Sequence, residues 1–150
     1  MNLDSQYSFK SVGASIVVNA RVEDVYTHWL HVEEFPHFMG AVREIRNLAE
    51  DRFYWRVERH GREYESVLQI VLRIPNRRMA WRTISGAESA GVVGFDPLAG
   101  DKTRVSFKMK YVPGAGWEDV EELQKRVTAR LENFKTYVES ISSLKSEAKK

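Results

Sequence analysis

The 150 residues contain no cysteine. Disulfides, thiolate nucleophiles, cysteine-ligated zinc and iron–sulfur clusters are therefore excluded, and the composition suits a reducing compartment. No apolar run approaches the roughly 18 residues of a spanning helix. Near the N-terminus Asp4 stands where a signal peptide carries positive charge, and no apolar stretch follows it. The expectation is a cytoplasmic protein without a transmembrane segment. Nucleotide-binding loops are also missing. Gly114-Ala-Gly116 has no third glycine and no Lys-Ser/Thr after it, while Glu118, Asp119, Glu121 and Glu122 would repel an anion there. There is no Gly-x-Ser-x-Gly elbow for a serine nucleophile. The four histidines are His28, His31, His37 and His60. His28 and His31 could approach each other, but two ligands without a placed third do not make a metal site. Neither metal nor cofactor is expected.

What is present is an ordinary globular composition, 43% hydrophobic and 29% charged. The length fits one domain over residues 1–150, with a core at about 11–142. The formal charge of +2 is accounted for by Lys145, Lys149 and Lys150 against Glu147. Arginines between Arg43 and Arg82 alternate with Glu44, Glu50, Asp51, Glu58, Glu63 and Glu65. That mixture reads as solvated outer faces of strands, not as a nucleic-acid footprint. A homodimer is compatible with it.

The pattern changes along the chain. Ser15-Ile-Val-Val-Asn19 is β-branched and reads as a strand. Val22, Val25, Tyr26 and Trp29 follow at helical spacing, with Asn19 as the candidate N-cap. A second helical turn is expected at Glu33 to Met39, where Phe35, Phe38 and Met39 would point inward. From Ala41 to Val112 the period becomes two, broken at Glu50-Asp51, His60-Gly61, Pro75-Asn76, Ser85-Gly86-Ala87 and Pro97 to Asp101. Alternation assigns inner faces to Phe53, Trp55 and Val57; to Tyr64, Ser66, Leu68, Ile70 and Leu72; to Met79, Trp81 and Thr83; and to Thr103, Val105, Phe107, Met109 and Tyr111. Beyond Pro113 a helix is expected from about Trp117 to Lys145. Its stripe is Val120, Leu123, Val127, Leu131, Phe134, Val138 and Ile141. Met1 to Ser11 and Ser146 to Lys150 read as loose ends. The fold class is α+β: about seven antiparallel strands against one long C-terminal helix.

Taken in order, several short patterns resemble a known group. They are the strand ending at Asn19-Ala20, Val22-Glu-Asp-Val-Tyr26, Phe35-Pro-His-Phe-Met39, Ile74-Pro-Asn-Arg-Arg-Met-Ala-Trp81, Gly91-Val-Val-Gly-Phe95, Thr103-Arg-Val105, Met109-Lys-Tyr111 and Phe134-Lys135 with Glu139. The series is similar to the polyketide cyclase/dehydrase group of START-like proteins, also called SRPBCC or Bet v 1-like, over about residues 11 to 142. The resemblance implies a helix-grip fold: a curved seven-stranded sheet around the last helix, two short helices after strand 1, and a cavity between sheet and helix. Members use that cavity for lipids, polyketides, quinones or sterols; some are aromatase/cyclases, others carriers. Ser66 departs from the pattern, because an aromatic is expected there, and the link from Tyr111 to the last helix is short.

The candidate ligand-binding residues are Trp55, Tyr64, Ser66, Leu68, Met79, Trp81, Thr83, Phe107, Met109, Tyr111, Leu131 and Phe134. Small residues beside bulky rings, with Gly94 counted among them, would leave the space under the helix incompletely filled. The expected ligand is an apolar or amphipathic small molecule. Whether a polyketide cyclase or dehydratase reaction follows binding stays open at this point, and no catalytic residue stands out. The alternative is a protein-interaction module of the co-chaperone or ribosome-associated START-like type.

Overall fold

In the computed structural model, which describes residues 9–37, 42–114 and 119–148, the alternating segments become seven strands. These are β1 (Lys10–Val18), β2 (Val42–Ala49), β3 (Arg52–Arg59), β4 (Arg62–Ile74), β5 (Arg78–Ser85), β6 (Ser89–Leu98) and β7 (Lys102–Tyr111). Every pairing is antiparallel and the order across the sheet is β1-β7-β6-β5-β4-β3-β2. The chain starts at one edge, crosses to the other through helix α1 (Val22–Leu30) and a 3-10 turn (Val32–His37), and returns hairpin by hairpin until β7 meets β1. Helix α2 (Val120–Ala148) has 29 residues and so a length of roughly 43 Å. This is the helix-grip architecture. Among the described residues no helix is long and apolar enough to cross a membrane.

The hairpins are set by residues that tolerate left-handed backbone. Glu50 and Asp51 join β2 to β3 at φ 51° and 62°, and His60-Gly61 join β3 to β4 at 52° and 76°. Two successive residues at positive φ give the turn whose twist matches that of the flanking strands.

Several expectations need correction. β1 begins at Lys10, inside the segment expected to be loose, because its ladder with β7 runs out to the Lys10–Tyr111 pair. The N-cap position of α1 is held by Arg21, with no side-chain cap. Asn19 instead donates its backbone N–H to Glu139 Oε2 at 2.7 Å. Pro97 and Leu98 belong to β6, so that turn begins at Ala99. Leu72 is not on the inner face: a register shift after Ile70 places it opposite Ala80, and it is 38% exposed. Val120 is exposed at the start of α2, and the helix runs past Lys145 to Ala148. Phe38, Met39 and Trp117 lie outside the described residues.

β1 is an edge strand, and α2 lies along it. The Gln124 amide donates to the Gly13 carbonyl at 2.6 Å and accepts from the Gly13 N–H at 3.1 Å. Lys135 Nζ donates to the Val17 carbonyl at 2.9 Å, and Glu139 takes the Asn19 N–H. Helix side chains thus occupy backbone groups that an open edge would offer to another chain. Partial burial pushes the Glu139 carboxyl up, but the Lys135 ammonium and the Asn19 amide override it, and the net direction is down. A carboxylate lowered by folding stabilises above its unfolded pKa, and that contribution is lost as pH falls through the folded value. Glu139→Gln should therefore be less stable than the wild type at pH 7, by about 0.5–1 kcal/mol for so exposed a pair. The gap should close below the ordinary carboxylate range. Urea denaturation at pH 7 and at pH 3 measures both; a gap of equal size at the two pH values would refute the assignment.

Candidate functional site

Trp29 of α1 organises the core. Only 4% exposed, it meets Phe134 of α2 at 5.0 Å between ring centroids, Phe35 at 5.7 Å, and Phe95 and Phe107 of the sheet at 6.3 Å each. Its contacts with Phe134, Phe35 and Phe95 are edge-to-face, the geometry favoured by the ring quadrupoles. Phe35 passes the arrangement on to Trp55 at 5.6 Å. A second cluster gathers Val12, Met109, Tyr111, Leu123 and Val127 where β1, β7 and the first half of α2 meet.

Between these clusters, sheet and helix stay apart and leave a cavity of about 340 Å³. β3 contributes Phe53, Trp55, Val57 and Arg59; β4 contributes Tyr64, Ser66, Leu68 and Ile70; β5 contributes Met79, Trp81 and Thr83; β7 contributes Phe107 and Met109. The helical side supplies Trp29, Phe35, Leu123, Val127, Arg130 and Leu131, and Gly86, Ala87 and Ser89 bound it at the β5–β6 connection. Ten of the twelve candidate residues thus line one space. Tyr111 and Phe134 do not: both are fully buried, Tyr111 within the second cluster and Phe134 under Trp29.

Two glycines shape the walls. A Cβ on Gly91, opposite Trp81 in the ladder, would lie 2.6 Å from the Trp81 ring at Cζ2 and 2.8 Å at Cε2. The indole can lie across β6 only because that side chain is absent. Gly94, expected beside a bulky ring, has nothing within 4 Å of a Cβ position, so Gly91 holds the place assigned to it. Gly86 has φ +99°, and a Cβ there would be 2.6 Å from the Glu65 carbonyl. The chain turns tightly against β4 at that rim.

Polar groups in the lining are few. Thr83 and Ser89 hydroxyls bond each other at 2.8 Å. The buried Trp55 Nε1–H has no acceptor among the described residues. Arg59, read from the sequence as part of an outward arginine series, belongs to this lining, with its guanidinium 5.6 Å from the Tyr64 ring centroid. Two residues past Val57 on the same strand, it shares that residue's face by alternation alone. Glu65 borders the space, but its carboxylate takes the Tyr54 hydroxyl and holds that phenol above its usual range, after the effect of burial. Hydrogen-bond donors at the wall are therefore the Trp55 indole, Tyr64, Arg59, Arg130 and the Ser and Thr hydroxyls.

The histidines lie elsewhere. His28 Nδ1 is 3.1 Å from Glu34 Oε2, and His31 Nδ1 is 3.9 Å from Oε1 of the same carboxylate. Tyr137 is held above its usual value by burial, and then by the charge of Glu34 and a hydrogen bond to it. Glu34 is the centre of this group, and the sequence reading missed it. His60 occupies its hairpin turn. Among the described residues no three His, Asp or Glu side chains are grouped to hold a metal ion.

With this geometry the chain can be set beside known proteins. The family model described as polyketide cyclase / dehydrase and lipid transport matches residues 18–135. An uncharacterized 17.2 kDa protein from the melC2-rnhH intergenic region of Streptomyces lincolnensis is 34% identical over 133 residues, covering 85% of this chain and 89% of that protein. Among solved structures, a START superfamily protein from Mycobacterium smegmatis superposes with a TM-score of 0.71 at 16% identity, covering 87% of this chain and 98% of its own. The Zhui aromatase/cyclase from Streptomyces sp. R1128 gives 0.71 at 16% identity, covering 87% and 94%. These two are likenesses of fold. The family match, running through the strands that wall the cavity and into α2, goes further: the chain belongs to the polyketide cyclase / dehydrase and lipid transport family.

Proposed function

We propose that the protein binds an apolar or amphipathic small molecule, of lipid, polyketide or quinone-like character, in the space between sheet and α2. The observation that carries this reading is the cavity itself, about 340 Å³ and walled by Trp29, Phe35, Trp55, Tyr64, Trp81 and Phe107. Its size falls in the range of small-molecule sites, and a mostly apolar wall with few polar groups suits a ligand held by desolvation and oriented by one or two hydrogen bonds. An acceptor on the ligand would relieve the Trp55 N–H, since a buried donor without a partner costs about 1–3 kcal/mol. A cyclase or dehydratase reaction is the catalytic form of the same proposal. Confinement would bring reacting carbons together, and Tyr64, Arg59 or Arg130 would donate the proton.

Native mass spectrometry of the purified protein, followed by melting curves with lipids, aromatic polyketides and quinones, tests the reading. A ligand at a hundredfold excess over its Kd should add about 2.7 kcal/mol, or about 5–10 °C in Tm for a chain of this size. Ser66→Trp should fill the space with the fold retained and abolish that shift. If no compound moves the wild-type melt, or Ser66→Trp responds as the wild type does, the proposal fails.

A further inference from the structure

The outer face of the sheet divides into two halves of different electrostatic character. On β2 to β4 most of the outward arginines are neutralised: Arg43 by Glu58, Arg46 by Glu44, and Arg56 by Glu44 and Glu63, while Arg52 donates to the Gln69 amide. On β5 to β7 they are not. Met79, Trp81, Phe107 and Met109 line the cavity, so alternation sends Arg78, Arg82, Lys108 and Lys110 to the outside. All four are exposed, as is Arg104 on the same face. None of the five has an ion-pair partner among the described residues. One carboxylate, Asp96, shares the face, opposite Arg104.

Register defines the pattern. Arg82, Ala90, Lys110 and Ser11 form one row across four strands; Leu72, Ala80, Val92, Lys108 and Gly13 form the next; Ile74, Arg78, Gly94, Ser106 and Ser15 the third. The cations thus stand above a floor of mostly small residues, with Leu72 38% and Ile74 42% exposed beside them. Phe9, 42% exposed, lies 5.2 Å from the Lys110 ammonium at the margin. No aromatic ring lies in these rows to stack bases.

We propose that this face docks on a lipid bilayer rich in anionic headgroups. Unpaired cations would gather the headgroups, while Leu72, Ile74 and Phe9 enter the interfacial layer. Unpaired cations on long flexible side chains above a floor of mostly small residues suit a fluid layer of anions better than the fixed relief of a protein partner. The proposal goes beyond the cavity reading and stands or falls separately from it.

Flotation of the full chain with phosphatidylcholine vesicles, with and without one third phosphatidylglycerol, tests it. Binding should require the anionic lipid and weaken in 1 M salt, where the screening length is about 3 Å. Arg82→Glu/Lys108→Glu/Lys110→Glu should reduce partition at least about a hundredfold, from roughly fivefold per cation. Arg21→Glu/Arg62→Glu/Lys125→Glu, at three exposed positions off this face, carries the same change in net charge and should reduce it only a few-fold. Circular dichroism establishes folding, and the corresponding triple alanine variant serves if charge reversal unfolds the chain. Leu72→Ser/Ile74→Ser should weaken binding to anionic vesicles at every salt concentration. Equal binding to neutral vesicles, equal loss in the two charge-reversed triples, or full binding by Leu72→Ser/Ile74→Ser together with equally tight binding of polyglutamate or RNA would each overturn it.

Discussion

Trp29→Ala should destabilise the protein by about 3–5 kcal/mol, the range for removing a large aromatic from a packed core. The prediction is at the upper end because the indole is shared: Phe35, Phe95, Phe107 and Phe134 all lean on it. Their supply of contacts would be lost together, and the void would open onto the existing cavity. Against a total stability of about 5–15 kcal/mol, this brings the chain near its unfolding threshold. Urea denaturation gives the value directly, and Trp29→Phe should recover a good part of it. A loss under about 1 kcal/mol would mean that the ring does not hold α1, α2 and the sheet together.

Gly91→Ala should be felt almost as strongly, through a residue that is not itself in the lining. The added methyl would overlap the Trp81 ring and approach the Lys108 carbonyl at 3.0 Å. The strand backbone is fixed by ladders on both sides, with β5 and β7, so the indole must give way. Its open side is the cavity. Overpacking of this kind costs about 1–3 kcal/mol, and the displaced ring should lower affinity for any cavity-bound apolar probe at least about tenfold. A double-mutant cycle isolates the cause: in a Trp81→Ala background, Gly91→Ala should lose most of its stability effect, a coupling of about 1–3 kcal/mol. Additive effects would show that the two positions are not in contact.

The inner face of β7 is legible because Thr103 to Tyr111 alternate without interruption, and Thr103, Val105, Met109 and Tyr111 are buried between exposed Arg104, Lys108 and Lys110. Leu72 failed because alternation assumes an unbroken ladder, and the extra residue near Val71 reverses the phase without any mark in composition. Phe134 and Tyr111 were assigned to the right faces, yet a face does not say which of its residues meets a void and which meets another side chain. That depends on the tilt of α2, which its apolar stripe leaves undetermined. Glu34 escaped notice because a single glutamate in a polar turn has no pattern; only the approach of His28 and Tyr137 from two helices gives it one.

The course of the chain has a consequence for its birth on the ribosome. Strands β2 to β7 join neighbours in sequence, so those hairpins can close while synthesis proceeds. β1 cannot: its ladder partners lie about 85 to 101 residues downstream, and the amide that covers Gly13 is 111 residues away. At about 5–20 residues per second, β1 must wait some seconds with its hydrogen-bonding edge bare until α2 leaves the exit tunnel. Completion of the sheet edge is thus tied to the synthesis of α2, and a nascent chain stalled before that helix would expose a strand edge able to pair with a neighbour.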